Sequence, residues 1–233
     1  MSNAGFDIEA TQWPIRLVPH ARARRLRLAW DPVKSEFRLT LPRRCSEKKA
    51  LQWAHDQRDW AAHQVGAARA EIRVTPGAVI PFCGRDLAIE WDRARPRTPV
   101  LDGDILAVGG PEDAVTRRVE AWVKARARDV MTRETSEYCT AAGLTCTSVS
   151  IGDPRSRWGS CSSSGAIRYN WRLVMAPEFV RRATVAHEVA HLAHMNHGPR
   201  FYALLAHLFE GDADEARGWL RAHGQSLRLV RFS

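Results

Sequence analysis

An α+β fold is expected for this chain, and three observations carry it. Residues 13–42 break into three short runs of alternating apolar and polar side chains, WPIRLVPH, RRLRLAWD and EFRLTLP, and alternation is the period of a half-buried strand. From Glu112 onward the apolar residues recur at helical spacing instead. Finally HEVAHLAHMNH, residues 187–197, gathers four of the chain's nine histidines into eleven positions on an otherwise apolar stretch.

Taken in order, the first three runs are separated by turn-forming residues and read as a small antiparallel sheet. Ser46 is placed to cap a long helix whose Leu51, Trp53, Trp60 and Val65 mark its buried stripe. AVIPFCG, RDLAIEWD and DILAVGG read as further strands, interrupted by the Pro- and Arg-rich RARPRTP. Residues 1–110 are therefore expected to form a β-rich N-terminal module with one long helix. Gly109-Gly110-Pro111 breaks the pattern and marks a boundary, with residues 111–233 as a second domain. That domain opens on a long helix through Val115, Val119, Trp122, Val123, Arg126 and Val130. After Gly143 come TCTSVSIG, SRWGSCSS and AIRYNWRLV, the last two joined by a Ser-Ser-Gly hairpin turn. Pro177 suits the first turn of the helix that carries the histidines. There is no internal repeat and no low-complexity tract.

With 233 residues, 45% of them hydrophobic, the chain can bury a sizeable core. No apolar run approaches the roughly 20 residues of a membrane span, and MSNAGFDIEATQWP lacks the basic start and apolar segment of a secretion signal. Five cysteines, odd in number and without a CxxC pair, argue against both a disulfide framework and a thiolate zinc knuckle. A cytoplasmic protein with no membrane partner is expected, while its oligomeric state has no signature in the sequence. The net charge of +9 favours anionic partners, nucleic acid above all, although an arginine-rich composition in general would produce the same balance.

His187 and His191 are four residues apart, so on a helix both project from one face and can reach one metal ion. Glu188 stands beside the first of them, placed to take a proton from a water held by that ion without binding the ion itself. Two histidines and a glutamate on a buried helix need partners, because burying a polar group unsatisfied costs free energy. The third ligand is a choice. His194 lies seven residues past His187, roughly 10 Å along a helix, and reads as a packing or outer residue. His197 requires the helix to end and the chain to return, for which Asn196 tolerates left-handed backbone and Gly198-Pro199 stops a helix. His197 is the expected ligand, with the carboxylates Glu210, Asp214 and Glu215 as the alternative. The spacing equals the metzincin pattern, except that His194 occupies the metzincin glycine position.

The segments SRWGSCSSSGAIRYNWRLVMAPEFV and VAHEVAHLAHMNHGPRFY closely resemble the YgjP-like family of small zinc metallopeptidases, in which R-W-G-S-C, N-W-R-L, HELAHL and N-H-x-x-x-F-W recur in that order. The resemblance covers roughly residues 155 to 205; the early arginine-rich strands, the P-R-R start of the first helix and FCGRDLAIEW are similar to the family's N-terminal part less sharply, and the family is distantly similar to the SprT-like proteases. It implies a zincin-like catalytic domain, an active-site helix and a backing helix packed on a small antiparallel sheet. It also implies Zn²⁺ on His187, His191 and His197, Glu188 as base, and a protein or peptide substrate. Tyr202 stands where many members carry Trp, a difference that bears on the cleft more than on the metal.

Three neutral imidazoles on zinc leave a fourth position for water, whose pKa falls to about 7 there, and hydrolysis is the expected reaction. An edge strand beside the histidine helix would pair with an extended peptide, and SRWGSC and AIRYNWRL are the two candidates. Arg157 is a candidate to face the oxyanion or a substrate carboxylate; an ion pair within the hairpin is the competing role. Trp158 and Trp171 read as core or wall, and Asn170 as a fixer of backbone at the cleft. Cys161 has no electropositive partner and is not expected to be a nucleophile. Two other functions use the same features: a phosphoanhydride hydrolase with arginines clamping phosphates, and a nucleic-acid-binding protein whose zinc site is structural or vestigial.

Overall fold

A computed structural model describes residues 5–8, 11–31, 34–68 and 71–232. Residues 1–4 and 9–10, part of the N-terminal stretch read as lacking a secretion signal, lie outside the described residues. The fold is mixed α and β with a β-rich N-terminal part, as the alternating runs implied, and it divides into two compact units, residues 1–71 and 72–233.

The first unit holds four strands, β1 (Gly5–Ile8), β2 (Thr11–His20), β3 (Arg27–Asp31) and β4 (Glu36–Pro42), in the order β1-β2-β4-β3. It is not wholly antiparallel. β4 runs parallel to β2 and antiparallel to β3, because β4 inserts between the two earlier strands and can oppose only one of them. One face of this sheet buries Ile15, Phe37, Leu39, Leu41 and Trp30 in a core with the helices that follow. Ser46 does cap the first helix, accepting from Lys49 N, but the helical stretch is two helices, α1 (Glu47–His55) and α2 (Arg58–Ala68). Their buried stripe is Ala50, Ala54, Ala61 and Val65, with Trp60 39% exposed. Small residues let the helices lie close on a sheet whose large aromatics already fill the core.

The second unit opens and closes on a parallel pair, β5 (Ile72–Arg73) and β13 (Val230–Arg231). Between them come β6 (Val79–Phe82), β7 (Arg85–Trp91), β8 (Val100–Asp102) and β9 (Ile105–Val108), ordered β6-β7-β9-β8. The β6–β7 turn puts Cys83 and Gly84 at φ +52° and +79°. The Gly109-Gly110 break does not separate compact bodies. Ile80, Leu87, Ile89, Leu106 and Val108 share one core with Val115, Val119, Trp122 and Val123 of α3 (Val115–Ala142), so the division falls at 71/72 and the strands before residue 110 belong with the helices after it. Gly110 turns the chain at φ +81°, where its carbonyl accepts from Trp91 Nε1.

α3 backs the rest of the unit. β10 (Ser148–Gly152), β11 (Gly159–Cys161) and β12 (Ala166–Asn170) form a sheet ordered β10-β12-β11. The Ser-Ser-Gly hairpin joins β11 to β12 antiparallel, while β10 takes the other edge in parallel, so this sheet too is mixed. A 3-10 turn over Trp171–Met175 leads to α4 (Glu178–Ala193), followed by α5 (Pro199–Leu208) and α6 (Ala213–Leu227). None of the described helices is long and apolar enough to cross a membrane.

Two buried polar contacts tie α3 to its neighbours. Arg181 of α4 donates to both oxygens of Glu134, the shortest bond 2.8 Å, with both side chains almost wholly buried. Thr135 donates to Met131 O at 2.6 Å and meets the Tyr169 hydroxyl of β12 at 2.9 Å. A buried charge stripped of its partner is far costlier than the intact pair is favourable. Arg181→Met is therefore expected to lower the unfolding free energy by about 3–5 kcal/mol in a urea titration, and the double variant E134L/R181M to recover most of the loss.

Candidate metal centre

The site is built on α4, which buries Val180, Ala183, Val185, Ala186, Val189 and Ala190. Helical spacing leaves His187 and His191 on one face, and the ring of His197 is brought back to meet them. The Nε2 atoms of His191 and His197 lie 3.2 and 3.1 Å from His187 Nε2. All three nitrogens fall within 4.8 Å of one another, the one such cluster of potential metal-binding groups among the described residues. Glu210, Asp214 and Glu215 are not part of it; Asp214 is paired with Arg217 at 3.0 Å instead.

The return turn differs from the expected one. α4 stops at Ala193, and His194 caps it in extended backbone, φ −136° and ψ 96°. Asn196 is not left-handed, since Ser35 and Cys83 are the only non-glycine residues with positive φ among the described ones. Gly198 and Pro199 begin a helix as well as ending a loop: Gly198 is the N-cap of α5 and Pro199 occupies its first turn, where a missing N–H costs nothing. His197 is thereby held immediately before the cap. His194 contributes through its carbonyl, which lies 3.0 Å from His191 Nδ1. A carbonyl can only accept, so Nδ1 carries the proton and Nε2 keeps its lone pair toward the cluster.

Phe201 is the residue that spacing did not single out. Wholly buried on α5, its ring centroid lies 5.0, 4.7 and 4.6 Å from those of His187, His191 and His197. It forms a common floor beneath the three imidazoles. Tyr202, the next residue, is 47% exposed and lines a neighbouring cavity with Phe209 and Arg217.

Glu188 is 6% exposed. Burial pushes its carboxyl up to about 7, against the opposing pull of Arg157. It faces β11 across Gly159, where a Cβ would collide with Glu188 Oε1, so glycine is required for the strand and the carboxylate to share this space. Burial, and next the neighbouring His191 and His197, push the His187 imidazole down to about 4; burial likewise lowers His191. Both rings are then neutral near pH 7, the state that binds a metal. Burial raises the Cys161 thiol, as does Glu188, which leaves it protonated and unsuited to nucleophilic attack.

β11 is the edge strand of its sheet and β12 the central one. Of the two strand candidates for peptide pairing, only SRWGSC has an edge to offer. The loop leading into β11 is held from several sides: Asn170 Nδ2 donates to Pro154 O at 3.0 Å, Arg228 donates to the same carbonyl at 3.1 Å, and Arg172 donates to Asp153. Asn170 thus fixes backbone beside the site, and its side-chain oxygen also accepts from Arg172 N. Trp158 forms wall, its indole packed toward Gly224 of α6 and covered by the Arg228 guanidinium at 4.6 Å. Arg157 is exposed and makes no ion pair among the described residues, contrary to the hairpin pair considered for it. It lines a cavity with Asp153, Ser160 and Arg168. A separate cavity of about 210 Å³ opens on His187 and Glu188, walled by Trp158, Ala183, Leu205, Ala216 and Leu220, with Arg217 also lining it.

A protein-family model described as "YgjP-like, metallopeptidase domain" matches residues 24–223. Among solved structures, the crystal structure of the metallopeptidase zymogen of Pyrococcus abyssi abylysin aligns with a TM-score of 0.36 and 19% identity, covering 39% of this chain and 93% of that one. No curated protein matches the chain.

The shared floor under the imidazoles has a measurable consequence. Phe201→Leu is expected to loosen all three rings at once and weaken cobalt(II) binding about tenfold, in line with the effect of losing an outer support of a metal ligand; the visible absorption of the bound ion reads the affinity.

Proposed function

Since the chain belongs to the YgjP-like metallopeptidase family, we propose that it is a zinc-dependent endopeptidase with His187, His191 and His197 as ligands, Glu188 as general base, and nucleic-acid-associated proteins among its substrates. Membership of the family makes it a hydrolase of protein or peptide substrates that uses a divalent metal. The observation that carries the finer reading is the convergence of three Nε2 atoms beside a buried carboxylate with no hydrogen bond or ion pair among the described residues.

The donor set fits zinc. Tetrahedral nitrogens at 2.0–2.1 Å from an ion stand about 3.3–3.4 Å apart, close to the 3.1 and 3.2 Å found here. When bound, zinc supplies Lewis acidity, polarising a carbonyl and lowering the pKa of water to about 7. The chain's own groups do the rest. Glu188 Oε1, raised into the range where it can both accept and release a proton, takes one from the attacking water and returns it to the leaving amine. Gly159 keeps space open for that carboxylate. β11 offers main-chain pairing to an extended segment, which suits a peptide bond within a chain as well as one at its end. The apolar cavity beside His187 accepts a side chain of the substrate. Arg157, whose charge reaches Glu188, is a cation available to the oxyanion or to a substrate carboxylate, as is Arg217, which lines the cavity beside His187. The net charge of +9 supports substrates gathered on nucleic acid.

Glu188→Gln is expected to keep full zinc content, read by metal analysis, and to lose about 100- to 10,000-fold in cleavage of an end-blocked, unstructured polypeptide. His197→Ala should lose zinc together with activity. An E188Q variant that cleaves like wild type would assign the base elsewhere, and zinc bound as tightly by H197A would do the same for the third ligand. In Gly159→Ala the added methyl must displace Glu188, so activity should fall with zinc retained; unchanged kcat would sink the proposed contact.

A further inference from the structure

We propose that the end of the first unit's sheet where β2 and β4 terminate is a nucleic-acid-binding surface that grips the phosphate backbone. The inference goes beyond the peptide-bond chemistry and does not depend on it. It starts from where the charge lies. Residues 13–49 hold eleven Lys and Arg against three Asp and Glu, out of 35 and 26 in the whole chain, so this stretch carries a net +8 of the total +9 and the remainder is nearly balanced. A generally basic composition would spread its excess along the chain; this one concentrates it.

Topology then focuses it further. β2 and β4 are parallel and in register to their last residues, His20 opposite Pro42, so the segments that follow them leave the sheet at one end. The first segment brings Arg22, Arg24 and Arg25, the second Arg43 and Arg44. β3 runs the other way and so begins at that same end, with Arg27 opposite Thr40. Six arginines from three segments therefore crowd one end of the sheet. All six are exposed, and none forms an ion pair among the described residues, whereas Arg16, farther along β2, is neutralised by Glu36 at 2.6 Å.

A cluster of uncompensated like charges is unfavourable by itself and is relieved by a polyanion. Arginine is suited to phosphate oxygens in particular, through its planar fork of donors. Segments projecting from the end of a sheet can follow a phosphate backbone without reading bases, so binding should be strong at low salt and nearly indifferent to sequence.

The test measures binding of the full chain to a labelled random-sequence DNA duplex by fluorescence anisotropy across a salt series. The set R24A/R25A/R43A/R44A is expected to weaken binding roughly tenfold or more at about 0.1 M salt and to flatten the slope of log K against log salt by about 3 to 4. Removing the same number of exposed charges from α3, in R117A/R126A/R128A/R133A, should leave the slope near wild type. Glu188→Gln should bind DNA like wild type, which separates this surface from the peptidase reading. If the first set does not fold, R24A/R25A and R43A/R44A are read separately, each expected to flatten the slope by about 2. The proposal is overturned if the sheet-end variants bind like wild type, or if the α3 set weakens binding equally. Capture of the protein by phosphatidylserine vesicles without binding to DNA overturns it as well.

Discussion

Everything near the histidines depends on one constraint: α4 is buried, so each polar group on it must find a partner or shift toward its neutral form. Arg181 finds Glu134. His191 finds the carbonyl of His194 and the nitrogen cluster. Glu188 is the exception: with no hydrogen bond or ion pair among the described residues, it lies in the space left by the missing side chain of Gly159, and burial pushes its carboxyl up toward the neutral form. A helix of the same apolar pattern without these polar residues would pack as well and carry no chemistry. Arg181 and His191 are tolerated because each is held, and because each is held it is oriented.

The same constraint explains why the supports are spread over the second unit. α3 supplies Glu134 and the Thr135 contact to Tyr169 behind the site. The end of α6 and the turn after β12 pin the loop before β11, through Arg228, Asn170 and Arg172. α5 brings both His197, just before its cap, and Phe201 within its first turn. A short loop whose far end starts a helix has little freedom, so the third imidazole is positioned by backbone and not by its own rotamer alone.

Electrostatics separates the two ends of the chain. The second unit spreads a net +4 over its 162 residues and uses buried charges structurally. The stretch from residue 13 to 49 is strongly basic, and its strand order collects that charge at one end. Excess charge on an exposed sheet end does nothing for the stability of that sheet, which rests on the aromatic packing of Phe6, Trp30 and Phe37.

Much of this was legible in the residues themselves. Helical periodicity places His187 and His191 on one face, and the strand runs with their turn residues locate most of the sheets, because both signals are local. Ser46 as a cap and the Ser-Ser-Gly hairpin are likewise local chemistry. The mixed sheet directions were not legible: an alternating run shows that a strand exists, while its neighbour is chosen by where distant strands insert. The boundary at 110 misled for a related reason, since glycines mark a turn and cannot say whether the two sides share a core. Arg181 carries no signal along the chain, and Gly159 and Phe201 stand in the motifs of the resemblance without showing what they do, because the partners of all three lie across the fold. The sequence by itself determined which groups can do chemistry; only the tertiary structure decided which of them meet, since convergence depends on contacts between residues far apart in the chain.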